Sequence, residues 1–281
     1  MRPVISQILR PKVNLPILDQ LRLRTRFCFS FDRLTKITGA IIRVSRDSDL
    51  AEMDIGSIGH DLDLATLQSF IGSSGASVSV AYDRSGNNNH AAMDIKSSQL
   101  RIAENGIINI ANGKPFLRSL YRNTHVTSYL TIPVSTFSGM TSGALLGVFR
   151  QGLGGEGVGG IARISNSRSA NHLGWLDGKG YTGFLASARY AFPDYLSTRD
   201  LALHITVNTG NPGQITLYKN GVIKPCETIP TNDFDNNPTT AFFPDSQYGD
   251  IDISELVILE SSPTDSQRQL LESHRRKYFQ I

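Results

Sequence analysis

The 281-residue chain is poor in cysteine, with only Cys28 and Cys226, and it has a single tryptophan, Trp175. Two thiols so far apart exclude a disulfide framework and a CxxC metal site. A bridge between them is the one pairing available, and no sequence pattern supports it. No run of 18 or more apolar residues occurs, so no membrane-spanning helix is expected. The opening "MRPVISQILRPKVNLPIL" is broken by Pro3, Pro11 and Pro16 where a signal peptide needs a continuous apolar stretch, and synthesis in a cytoplasm is the expectation. The six histidines never fall at ligand spacing such as HxH or HExxH, which excludes the common zinc motifs. A net charge of +3 is too small to imply nucleic acid.

The charge is nevertheless uneven. Residues 1–36 hold eight Lys or Arg against two acids, leaving the remainder net negative. In this segment Val4, Ile5, Ile8, Leu9, Leu15 and Ile17 are too apolar for a solvated tail, and the prolines prevent a regular element from hiding them. An arm over 1–36 that lies on a neighbouring copy or a larger assembly is therefore expected. Its last part, "LRLRTRFCFSF", alternates apolar and polar residues and reads as a strand that packs on a sandwich or extends a neighbour's sheet. That alternation accounts for Phe27, Phe29 and Phe31 better than nucleic-acid binding does.

Beyond the arm, Ala40–Val44 reads as a strand. "HDLDLATLQSFIG" reads as a short helix near 63–71, with Asp61 or Asp63 as N-cap, Leu64, Leu67, Phe70 and Ile71 at helical spacing, and Gly72 as the stop. From Ser77 the pattern turns to period two, in nine short segments from "SVSVAYD" to "DISELVILE" with no helical crossover between them. Such spacing predicts an antiparallel sandwich. Asn220 and Gly221 are the central residues of a tight hairpin. Thr264 and Gln267 have capping-box spacing at the head of a C-terminal helix, with Leu270, Leu271, His274 and Tyr278 on one side. The expected organisation is an arm, 1–36, and one all-β domain, 37–281.

The loop after "SVSVAYD" is rich in chemistry. Asp83 with Asn87, Asn88 and Asn89 offers oxygen ligands on a tight turn, suited to Ca²⁺ or to sugar hydroxyls, and Tyr82 could stack on a ring. The same residues also make a self-contained Asx turn, Asp83 accepting the loop's own amides with Gly86 and an Asn in the left-handed region. This structural reading accounts for every residue type present, so no metal is expected and Asp83 is the one candidate. "GLGGEGVGG" resembles a phosphate loop only in composition, because a strand-like "IARIS" follows it rather than a helix.

A retaining glycosidase needs two carboxyl groups about 5 to 5.5 Å apart. Glu156, Asp177, Asp245, Asp250 and Glu255 are the available carboxylates; Glu156 sits among glycines, and Asp177 lies two residues past Trp175, a candidate sugar platform. No spacing rule makes any two of them converge.

Taken in succession, "AIIRVSRDSDLAEMDIG", "LDLATLQSFIG", "VSVAYDRSGNNNHA" and "GKPFLRSL" resemble a family of concanavalin A-like, laminin-G-type jelly rolls shared by bacteriophage tail or fibre proteins and the catalytic domain of arabinofuranosidase B. "ITLYKNGV" is similar to its inner hairpin, and the C-terminal strand and helix to its closing elements. The resemblance covers about residues 37–281 and implies a jelly-roll β-sandwich. The enzymes' adjacent-cysteine motif is absent, so their catalytic residues do not carry over. The expected function is a virion component, of tail, fibre or baseplate, that adsorbs to host glycans through Tyr82, Asp83, Asn87, Asn89 and Trp175. Its partners would be other virion proteins reached through the arm and further copies of itself. The alternatives are an α-L-arabinofuranosidase using Glu156 and Asp177, and a purely architectural decoration or cement protein.

Overall fold

The computed structural model describes residues 15–119, 128–151, 159–165, 173–176, 179–182, 190–192, 200–210, 215–225, 240–244 and 250–281; between 159 and 192 the description is of backbone pairing. Among them no helix is long and apolar enough to cross a membrane. The architecture is an antiparallel β-sandwich with helices on one outer face.

The first sheet is organised by the Ile251–Leu259 strand, buried along its whole length. On one side it pairs with Gly143–Gln151, which continues into Ala202–Asn208, Ile215–Lys219 and Val222–Lys224. On the other side two strands lie end to end: Thr25–Ser30 against residues 255–259 and Leu117–Ser119 against 251–253. The second sheet pairs Ile42–Arg46 with Glu52–Ile55 and with Ala76–Ala81, which meets Leu100–Glu104. Both ends of the Val222–Lys224 hairpin follow the expected chemistry, Asn220 and Gly221 both having positive φ.

Alternation along each strand divides the apolar residues between two cores. Phe27, Phe29, Phe31, Val44, Val78, Ile253 and Ile258 fill the space between the sheets. Cys28, Leu146, Val148, Val257 and Leu259 face outward, where Ile17, Leu18, Leu271 and Phe279 cover them from two helices, α1 (Ile17–Gln20) and α3 (Asp265–Phe279). Cys28 is a free, buried thiol whose pKa is pushed up, chiefly by burial. The third helix, α2 (Leu64–Ile71), begins where Asp63 accepts the Thr66 N–H at 2.9 Å and ends at Gly72, φ +57°.

Two expectations are corrected here. Residues 15–36 are not an external arm, because Phe27, Phe29 and Phe31 are fully enclosed in the chain's own core and the Thr25–Ser30 strand belongs to its first sheet. The rings interlock, Phe29 lying edge-on to Phe31 at 5.2 Å and Phe27 to Phe243 at 5.7 Å. Ile17 is likewise buried against the helix-side core, whereas Leu15 is 41% exposed. Val4, Ile5, Ile8 and Leu9 lie outside the described residues. The second correction concerns α3, whose capping box forms as expected but whose buried side is Arg268, Leu271, Glu272, Arg275 and Phe279; Leu270 is 57% exposed and His274 faces solvent.

Candidate ligand-binding cleft

The Asp83 loop is a clasp on the edge of the first sheet. One carboxylate oxygen of Asp83 accepts the N–H groups of Cys28 (2.9 Å) and Ser85 (2.8 Å); the other accepts the Ser85 hydroxyl (2.7 Å) and the Asn89 N–H (2.9 Å). Four donors on two oxygens is the arrangement of a turn that satisfies itself. Gly86 (φ +93°) and Asn88 (φ +58°) take the left-handed conformations the turn requires. His90 Nδ1 accepts the Asp83 N–H at 3.0 Å, which places the proton of the neutral ring on Nε2.

The two remaining asparagines have a separate task. A register shift in the Thr25–Ser30 strand falls at Arg26, and such an irregularity leaves backbone groups without ladder partners. Asn89 Nδ2 donates to the Arg26 carbonyl at 2.8 Å and Asn87 Nδ2 to that of Thr25 at 2.7 Å. The loop thereby fixes the first strand of the sandwich. Tyr82 turns elsewhere, its hydroxyl donating to Asp54 at 2.8 Å and its ring meeting His90 edge-on at 5.0 Å. Among the described residues no group of three or more His, Cys, Asp or Glu side chains is gathered for a metal ion.

Where the clasp meets the start of the strand, a cleft of about 260 Å³ opens. Its floor and walls come from four separate segments. Ser85 and Asn87 supply the loop side, Arg24 and Thr25 the strand, Thr35, Lys36 and Ile37 the following turn, and α1 with Leu23 and Glu260 the rest. The carboxylates are already engaged: Glu260 Oε1 lies 3.0 Å from the Arg26 guanidinium and Asp19 accepts the Lys36 N–H at 2.6 Å. Arg24 and Lys36 are exposed. Behind the wall lies Arg84, 3% exposed, donating to the Ile37 carbonyl at 2.7 Å while its own carbonyl accepts the Thr35 hydroxyl at 2.6 Å. One terminal nitrogen of that guanidinium is buried without a partner, and burial draws the Arg84 pKa down.

Of the residues singled out in the sequence, the structure brings Asn87 to the cleft and uses Asp83 and Asn89 to shape it, while Tyr82 stands outside. Trp175 lies in the Leu173–Leu176 strand, opposite Gly159 and Gly180. Glu156, Asp177 and Asp245 lie outside the described residues. Glu255 is no rim carboxylate but a core one, held by Arg275 through bonds of 3.0 and 2.6 Å and by the Ser30 hydroxyl at 2.5 Å. Arg275, fully buried, also donates to Asp32. Burial and the nearby Asp32 push the Glu255 carboxyl up, against the pull of Arg275 and Ser30. Sequence reasoning missed this network; its signal was the one acid within the apolar "ISELVIL".

No family model matches the chain, and no curated protein matches it in sequence. Two of the most similar solved structures are a GH54 α-L-arabinofuranosidase soaked with a cyclic sulfate inhibitor (TM-score 0.54) and an arabinofuranosidase complexed with arabinofuranosyl-α-1,2-xylobiose (TM-score 0.55). The likeness is one of fold. Each is 12% identical over 92% of this chain, and the chain spans 63% of the length of those proteins. The all-β sandwich expected from the strand pattern is thus present, and its fold is similar to that of those arabinofuranosidases.

Proposed function

We propose that this chain is a glycan-binding β-sandwich, an adsorption component of a virion, with the cleft beside the Asp83 loop as its sugar site. The cleft carries this reading. It joins the hydroxyl of Thr25 and the side-chain carbonyl of Asn87 with apolar Leu18, Leu23 and Ile37, a mixture that matches a sugar's hydroxyl rim and C–H faces. At about 260 Å³ it falls just below the ~300 Å³ lower end of common ligand pockets, so one ring fits better than a long oligosaccharide. The virion setting rests on the likeness of "YDRSGNNNHA" and its flanking segments to phage tail and fibre proteins. Assembly partners, met through residues before Leu15, and homo-oligomer contacts belong to the same proposal. Fold likeness to arabinofuranosidases carries no activity with it.

The test is glycan-array binding by the full chain and by Thr25→Ala, which removes a lining hydroxyl. Binding by the parent with at least a severalfold loss in the variant is expected. Equal binding by both places the sugar site elsewhere, and no binding by either leaves an architectural protein. Released arabinose on incubation with arabinoxylan would move the reading to a hydrolase.

A further inference from the structure

The charges around the cleft are unbalanced, and the imbalance selects among sugars. Of the acids at the cleft, Glu260 is paired with Arg26, while Asp19 accepts only the neutral Lys36 N–H and keeps its charge, so that Arg24, Lys36 and the Arg84 behind them face one uncompensated acid. The neighbouring Asp32 is drawn into the core by Arg275. Among the described residues, neither the Arg24 guanidinium nor the Lys36 ammonium has a carboxylate partner, and both line the cleft. A third cation stands behind the wall: Arg84 is nearly buried, one of its nitrogens has no acceptor, and no carboxylate is bonded to it. Its field reaches the cleft through protein rather than water, where charges act more strongly.

We propose that the cleft is specific for an anionic sugar unit, its carboxylate bound by Arg24 and Lys36 and its hydroxyls by the loop side. The inference rests on the glycan-binding reading and deepens it. A guanidinium presents a planar fork that matches a carboxylate bidentately, which favours a uronic or other sugar acid over a neutral hexose. Asn87 completes the match. Its Nδ2 is committed to the Thr25 carbonyl and the Ser85 hydroxyl, so what it offers a ligand is the carbonyl oxygen, an acceptor for a sugar hydroxyl. Anion binding would also compensate the buried Arg84 charge, whose protonated form burial disfavours.

Tetragalacturonate and its methyl ester share shape and differ in charge, so titration of the full chain with the two isolates the acid. The free acid is expected to bind about tenfold more tightly, the size of one good charge-assisted contact. The double variant Arg24→Gln, Lys36→Gln, both at exposed positions, should remove the preference for acid over ester, and a preference that survives in it overturns the assignment of these two residues. A sulfated galactan tetrasaccharide serves as the arm that separates carboxylate from sulfate, and tetraglutamate as the arm that separates sugar from charge. Equal affinity for acid and ester overturns the inference and leaves the glycan-binding reading standing. Tighter binding of the sulfated arm overturns the carboxylate assignment, and equal binding of tetraglutamate overturns sugar recognition by this cleft. Failure of every saccharide removes both proposals.

Discussion

Asp83 and Glu255 are both buried carboxylates, and their surroundings assign them opposite behaviour. Asp83 receives four donors from its own chain and no guanidinium. Replacing it by Ala strands the Cys28 and Asn89 N–H groups, and two buried orphans at about 1–3 kcal/mol each should lower the urea-unfolding free energy by several kcal/mol. A melting temperature that rises on adding calcium would instead reveal a cation on the loop. Glu255 shares one guanidinium with Asp32 inside the core. Burial, helped by the second acid Asp32 on the same base, raises the Glu255 pKa against the pull of Arg275 and Ser30. The sign of the linkage follows: a raised folded-state pKa means the folded form holds its proton longer than the unfolded form, whose ordinary value is near 4.5. This carboxyl's contribution to stability is therefore present below that value and is lost as pH rises through the window above it. Glu255→Gln should flatten the stability–pH curve in that window, which chemical denaturation at a series of pH values measures. Arg275→Ala, leaving both acids buried and unpaired, should cost about 3–5 kcal/mol.

At the level of elements, α3 shows both what patterning reveals and where it misleads. Its start was legible because a capping box is a short-range device: Thr264 and Gln267 need only their spacing, and both bonds form, at 3.2 and 2.9 Å. Its buried side was not legible, since hydropathy assigns Arg268, Glu272 and Arg275 to water. Those residues are buried because partners await them, Glu272 for Arg268 at 2.8 Å and Glu255 and Asp32 for Arg275. The true stripe is rotated by about one position, so that Leu271, expected on the buried side, stays there while Leu270 leaves it. Leu271→Ala should cost about 2–5 kcal/mol as a core truncation, while Leu270→Ala should remain within about 0.5 kcal/mol as a surface change. Urea midpoints of the two variants decide between the two faces. The Thr25–Ser30 strand carries a related lesson. Its alternation was visible in "LRLRTRFCFSF", but alternation states only that one face is buried, not whose core receives it.

The whole molecule places its candidate site at a seam. Residues 18–25, 35–37, 85–87 and 260 meet only after the first strand has docked beside the last, so no sequence window contains the cleft and only its loop was visible beforehand. The same docking makes the first strand part of the fold itself. Hydrogen bonds and packing that hold the first strand begin at Leu15 among the described residues, with the Leu18 N–H donating to the Leu34 carbonyl at 3.1 Å. On the proposed assembly reading, a chain lacking residues 1–14 should keep its urea midpoint and its sugar binding. A chain lacking residues 1–31 should fail to fold, because three fully buried phenylalanines, each worth about 3–5 kcal/mol as a truncation, together account for most or all of the about 5–15 kcal/mol available to most domains. If the shorter deletion is folded and binds sugar but no longer joins particles, the first 14 residues are the assembly element and the sandwich is the adsorption element. If it joins particles as the full chain does, attachment belongs to the sandwich surface, and the apolar residues Val4, Ile5, Ile8 and Leu9 have another role.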